Sequence, residues 1–277
     1  MSAPTLTANT DANPWVEAFL DTADVAVGTV SLRYYRNAEG RTWLVRGGVD
    51  VAPGVAVLDF ECPFGVLAAY RAEQFDVSGA SLGYTAVSSI ILAGVGTWVH
   101  NPLEPTAGMQ VEIDDVSARE LIRPTPGDRV FVQGHGVARL IGRRRRGLDS
   151  VDLSLSVRGI VEADAFQDLL GSYDEDRLGV LCLRTSETVR WPATFMFATS
   201  AMAEKDVSIR YGGDWVQFVA SVDEVEPPFP GLSTPLLSYD DLDVAYATYT
   251  ARDAAYASYT AADRDYSKAG LAATGGP

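Results

Sequence analysis

Gly79-Ala80-Ser81-Leu82-Gly83 has the G-x-S-x-G spacing of a nucleophile elbow, a strained turn that presents a serine for attack on an acyl carbon. Asp114 or Asp115, and then His135, follow in the chain order that α/β-hydrolases use, so a serine hydrolase acting through Ser81 is one chemistry these residues could perform. The elbow requires a strand before the serine and a helix after it. Here Thr85 to Leu92 is rich in β-branched residues, and no alternation of strands with helices surrounds the motif. The expectation is a loop of small residues between two strands. The chain is read as a non-enzyme with no catalytic, cofactor-binding or metal-binding residues.

Metal chemistry fares no better. His100 and His135 are the two histidines, and neither has a His or Cys partner at ligand spacing. His135 sits between Gly134 and Gly136 and reads as an exposed loop residue. Asp174-Glu175-Asp176 and Asp240-Asp241-Asp243 lack the glycine-bearing loop of a calcium site, which leaves solvated acidic faces. Cys62 and Cys182 each lie in an apolar run and read as small core residues, not as a disulfide or a metal pair.

Two stretches suggest interaction instead. Arg143-Arg144-Arg145-Arg146 places four like charges together, whose repulsion calls for salt, solvent or an acidic surface on a neighbouring subunit. Near the C-terminus a ten-residue unit recurs, with tyrosines at Tyr239 and Tyr246, Tyr249 and Tyr256, Tyr259 and Tyr266. A period of ten fits the helical turn of about 3.6 residues poorly. Short helical segments broken at Ala-Thr and Ala-Ser are therefore expected, with tyrosines facing a partner; a solvated low-complexity tail is the other reading.

The elements that would carry these residues are mostly strands. Val151, Leu153, Leu155 and Val157 alternate with polar residues, the period of a strand with one buried face. With Leu140-Ile141 this run suggests a hairpin over 139–158 bearing the arginines at its tip, followed by a helix over 163–172. Val30, Leu32 and Tyr34 alternate likewise, turn at Asn37–Gly40 and return through Trp43. Ala56, Leu58, Phe60 and Cys62 point one way, with Asp59 and Glu61 pointing the other. Asn101-Pro102-Leu103-Glu104-Pro105 reads as a stiff exposed connector. The expected fold class is mainly β: two β-sandwich or split-barrel-like domains, the second with one flanking helix, plus a Tyr-rich repeat tail. The expected divisions are an N-terminal arm and short helix over 1–22, a first β domain over 23–105, a second over 106–231, and a linker with the repeat tail over 232–277.

Composition bounds the partners. The 277 residues are 47% hydrophobic and carry a formal net charge of −15, which disfavours nucleic acid or an anionic membrane as the main partner. No apolar run is long enough for a membrane helix, and the first dozen residues lack the features of a secretory signal.

Taken in order, Gly142-Arg143, Leu148-Asp149-Ser150-Val151-Asp152-Leu153-Ser154-Leu155, the helix ending Asp168-Leu169-Leu170, and Gly179-Val180-Leu181-Cys182-Leu183-Arg184-Thr185 resemble the minor tail proteins of long-tailed actinobacterial phages. Trp98 to Pro105 is similar to their interdomain segment, Trp215 to Pro228 to their closing strand, and the tandem tyrosine units to their terminal repeats. The resemblance spans roughly residues 25 to 266. It implies a structural subunit of the virion tail tip, made in the host bacterial cytoplasm, with no active site and no cofactor. The implied partners are copies of itself in a trimeric or hexameric ring, neighbouring tail-tip and tail-tube proteins, and a host surface glycan. A carbohydrate- or receptor-binding β-sandwich module of the tail tip is the alternative.

Overall fold

The computed structural model describes residues 2–10, 13–133, 135–171, 179–207, 215–230, 239–256, 258, 259, 262 and 268. The chain divides into two compact units, Met1–Leu232 and Ser233–Pro277. The described residues are mainly β.

At the N-terminus β1 (Thr5–Asn9) pairs with β2 (Trp15–Phe19), which pairs on its other side with β5 (Val57–Asp59). Residues expected as a short helix are thus a central strand. Trp15, Val16 and Ala18 are all buried. One or two helical turns would be marginal on their own, whereas a middle strand meets hydrogen-bond partners along both edges.

The expected hairpin forms from β3 (Ser31–Ala38) and β4 (Arg41–Leu44). Glu39 and Gly40 between them both have positive φ, at 51° and 74°, the backbone of a tight two-residue turn. On its other edge β3 pairs with β6 (Leu67–Phe75), to which β7 (Ser81–Tyr84) and β8 (Ser88–Ile91) add. Leu32, Tyr34, Tyr70 and Leu92 sit in the first hydrophobic core, under these two sheets.

The second core fills a closed barrel. In spatial order its six strands are β13 (Val151–Arg158), β10 (Glu104–Ile113), β9 (Thr97–Asn101), β14 (Val180–Thr185), β15 (Thr194–Ala198) and β17 (Trp215–Glu224). The pairing of β13 with β17 over eight residues closes the ring, so neither strand is left as an edge. Strand β16 (Ala203–Val207) adds to β17. Helix α1 (Ile160–Leu170) buries Ala163, Phe166 and Leu169, with Phe166 stacked on Phe218 at 4.2 Å.

Two expectations are corrected here. Asn101 to Pro105 is no exposed connector: it is the turn between barrel strands β9 and β10. Asn101 is buried, donates to the Leu169 carbonyl at 3.1 Å and accepts from the Leu103 N–H at 3.0 Å, which fixes the turn. Nor is 139–158 a hairpin. Strand β12 (Arg139–Gly142) pairs with β11 (Gly127–Val130), while β13 belongs to the barrel. The β11–β12 pairing continues irregularly down to an Ile122–Asp149 bridge, giving a long two-stranded ribbon. Along its stem the Pro126 and Pro124 carbonyls accept from the Arg143 and Arg146 N–H groups, both at 2.9 Å. Proline offers no N–H in return, so this stretch cannot be a regular ladder.

In the second unit α2 (Tyr239–Ala245) and α3 (Tyr249–Ala255) are short helices. Thr248 caps α3, accepting from the Ala251 N–H. Among the described residues no helix is long and apolar enough to cross a membrane.

Candidate functional site

Between the two cores of the first unit lies a seam of buried charge. Arg36 alternates with Leu32 and Tyr34 on the inward face of β3, and its Nη1 donates to both Asp59 carboxylate oxygens at 2.5 and 2.6 Å. The Tyr70 hydroxyl and the Glu61 N–H also donate to Asp59, at 2.8 and 2.9 Å. Arg46 Nε donates to Glu61 at 2.7 Å, and its two Nη atoms reach the carbonyls of Phe229 and Pro228 at 3.1 and 2.9 Å. Asp59 and Glu61, expected to point outward, are therefore buried acceptors. Burial works against the Arg36 charge, but the Asp59 carboxylate outweighs it and holds the guanidinium pKa above its ordinary value.

Arg184 crosses the seam from barrel strand β14. It donates to the Pro14 carbonyl at 2.7 Å, the Cys62 carbonyl at 3.1 Å and Asn13 Oδ1 at 2.8 Å, and covers the Phe64 ring at 4.6 Å. Burial lowers its pKa. His100, opposite Cys182 in the barrel sheet, is fully buried; burial first, and then the charges of Arg184 and Arg46, hold it well below the usual histidine range. Neither ring nitrogen has a hydrogen-bond partner among the described residues. Cys62 and Cys182 are free and buried, and burial pushes the Cys62 thiol up to about 11. Such thiols are inert as nucleophiles.

One end of the seam opens into a cleft of about 550 Å³. The β3–β4 hairpin contributes Arg36, Arg41 and Trp43; the ribbon stem contributes Arg123, Arg145 and Arg146; the segment before β15 contributes Arg190 and Trp191. In a chain with fifteen excess negative charges, this is a local reversal of sign. Beyond the stem the ribbon exposes apolar side chains, among them Phe131 (71% exposed), Val137, Leu140 (67%) and Ile141.

The interaction residues expected from sequence are divided. Arg143 to Arg146 lie on the ribbon stem, not at a tip, and only Arg145 and Arg146 face the cleft. In the second unit the Tyr246 and Tyr256 hydroxyls meet at 2.9 Å with their rings edge to face, so these two tyrosines engage one another. Tyr239, Tyr249 and Tyr259 are exposed, with the Arg252 guanidinium 4.8 Å from the Tyr249 ring. Tyr266, the Asp174–Asp176 cluster and residues 208–214 lie outside the described residues.

The hydrolase constellation does not assemble. Ser81 begins strand β7, with no helix after it, and donates to Glu73 at 2.8 Å. Asp114 accepts from Ser154 and Ser156 on β13 and from Gln217 on β17, at 2.5, 2.7 and 2.7 Å. Burial works against its charge, yet these donors hold its carboxyl below the usual range. Among the described residues no three His, Cys, Asp or Glu side chains converge on a metal position.

A scan against protein-family models and a search of curated proteins find no match to this chain. Fold and site together define a mainly β, barrel-containing protein with an apolar ribbon and a cationic cleft.

Proposed function

We propose that this chain is a structural subunit of a phage tail tip, assembling through copies of itself into a symmetric ring near the distal end of the tail tube. The observation that carries the reading is the ribbon. It stands clear of both cores, and Phe131, Leu140 and Ile141 are exposed on a two-stranded element too small to be stable alone. Large apolar side chains exposed together on so small an element mark a contact surface for another protein. A second copy supplies charge complementary to Arg143 and Arg144, which lie on the ribbon stem outside the cleft, since the chain as a whole is acidic. A barrel with a flanking helix also suits the resemblance, since such tail proteins commonly use β-sandwich or split-barrel domains. Neighbouring tail proteins would then attach to the ring.

The test is the mass of the full chain by light scattering or native mass spectrometry, beside Leu140→Glu/Ile141→Glu. Three or six copies for the native chain, falling to one for the variant with its circular dichroism unchanged, supports assembly through the ribbon. A native monomer at high micromolar concentration, with or without the substitutions, would sink it. The alternative, a receptor- or glycan-binding module of the tail tip, draws on the cleft beside Trp43 and Trp191.

A further inference from the structure

The arginines around the cleft have more charge than the protein neutralises. Arg36 is balanced by Asp59. Of the remaining five, Arg41 stands 4.0 Å from Glu224. Arg123, Arg145, Arg146 and Arg190 have no carboxylate within ion-pair distance among the described residues. With Glu39 and Glu224 the only carboxylates among the described residues of the lining, these five arginines leave an excess of three positive charges.

The cleft is also built, not merely charged. Arg123 is held by a hydrogen bond from its Nη2 to the Arg190 carbonyl at 2.6 Å, which ties the ribbon stem to the segment before β15. The Arg146 N–H donates to the Pro124 carbonyl, which holds the backbone that carries Arg145 and Arg146 at the cleft. Trp191, 6% exposed and stacked on Phe195, contributes a buried indole N–H with no acceptor among the described residues.

We propose that this cleft binds a ligand through a phosphate or pyrophosphate group. Several guanidiniums converging on one small volume match a phosphate, which offers more acceptor oxygens and up to twice the charge of a carboxylate. A volume of about 550 Å³ leaves room for the body of a small phosphate ester or one unit of a phosphate-bearing polymer. The site lies within the first unit and does not depend on ring assembly.

Inorganic pyrophosphate, inorganic phosphate and glucuronate are titrated into the full chain by calorimetry at low ionic strength. Saturable pyrophosphate binding is expected, weaker for phosphate and weakest for the monocarboxylate, and falling as salt rises. Arg145→Gln and Arg190→Gln should each weaken pyrophosphate about tenfold or more, the size of a lost charge-assisted hydrogen bond. Arg144→Gln, which removes the neighbouring charge outside the cleft, should change it less than about twofold. Because these three side chains are exposed, circular dichroism should show folded variants. The proposal is overturned by no saturable binding, by glucuronate binding as tightly as pyrophosphate, or by Arg144→Gln weakening it as much as Arg145→Gln. A phosphate-bearing polymer as the natural source would compete with pyrophosphate for the site; a free small ester would do so without polymer.

Discussion

Both carboxylate oxygens of Asp59 lie within 2.6 Å of one nitrogen of Arg36, and both side chains are at least 97% buried. A buried ion pair gains little over a well-packed apolar pair, because its desolvation cost is large, but halving it strands a charge. Arg36→Met should therefore cost about 3–5 kcal/mol in urea unfolding at neutral pH. In Arg36→Met/Asp59→Leu the stranded carboxylate is gone, although the Tyr70 hydroxyl and the Glu61 N–H lose an acceptor. The double variant should recover at least half of the loss. Additive losses would mean that the two side chains are not energetically coupled.

That pair also shows how far the sequence could be read. The alternation that marks Leu32 and Tyr34 as inward carries on to Arg36 and Ala38, so the phase of β3 already put an arginine in the core. The same period made β13 and the β3–β4 hairpin legible, and the Phe166 and Leu169 spacing made α1 legible. Strand β5 misled because it is buried on both faces, which erases the alternation that would otherwise separate Asp59 from Leu58. Ribbon and barrel closure were hidden for another reason. Strand β12 pairs with its near neighbour β11; what takes β13 away from it is non-local, the pairing of β13 with β17 some sixty residues on, and nothing in the Leu140-Ile141 pattern encodes that. The cleft was half visible, as an arginine run; Arg123, Arg190 and Arg41 join it only through the fold.

His100 should leave a signature in the pH dependence of stability. In the unfolded chain a histidine takes up a proton near pH 6.5, whereas buried His100 does so only at much lower pH. Below about 6.5 the unfolded state thus binds the extra proton, so stability falls as pH falls, by up to about 1.4 kcal/mol per pH unit. Unfolding free energies measured from pH 7 to pH 5 should show this slope, above the range where carboxylates titrate. His100→Leu should flatten it. An unchanged slope in the variant would assign the effect to other groups.

The contact between the Phe64 ring and Arg184 makes a glycine indispensable. A Cβ added to Gly94 would fall on the Phe64 ring, closer than any side-chain contact allows. The ring cannot swing away, because it is buried and capped on one side by the Arg184 guanidinium, itself held by three hydrogen bonds, to Asn13, Pro14 and Cys62. Gly94→Ala should therefore cost about 1–3 kcal/mol, the usual range for overpacking a filled site. The loss arises from the ring, so trimming it should relieve the strain: Gly94→Ala/Phe64→Leu should be less destabilised than the sum of the single variants. A sum that is simply additive would show that the backbone at Gly94, and not Phe64, sets the requirement.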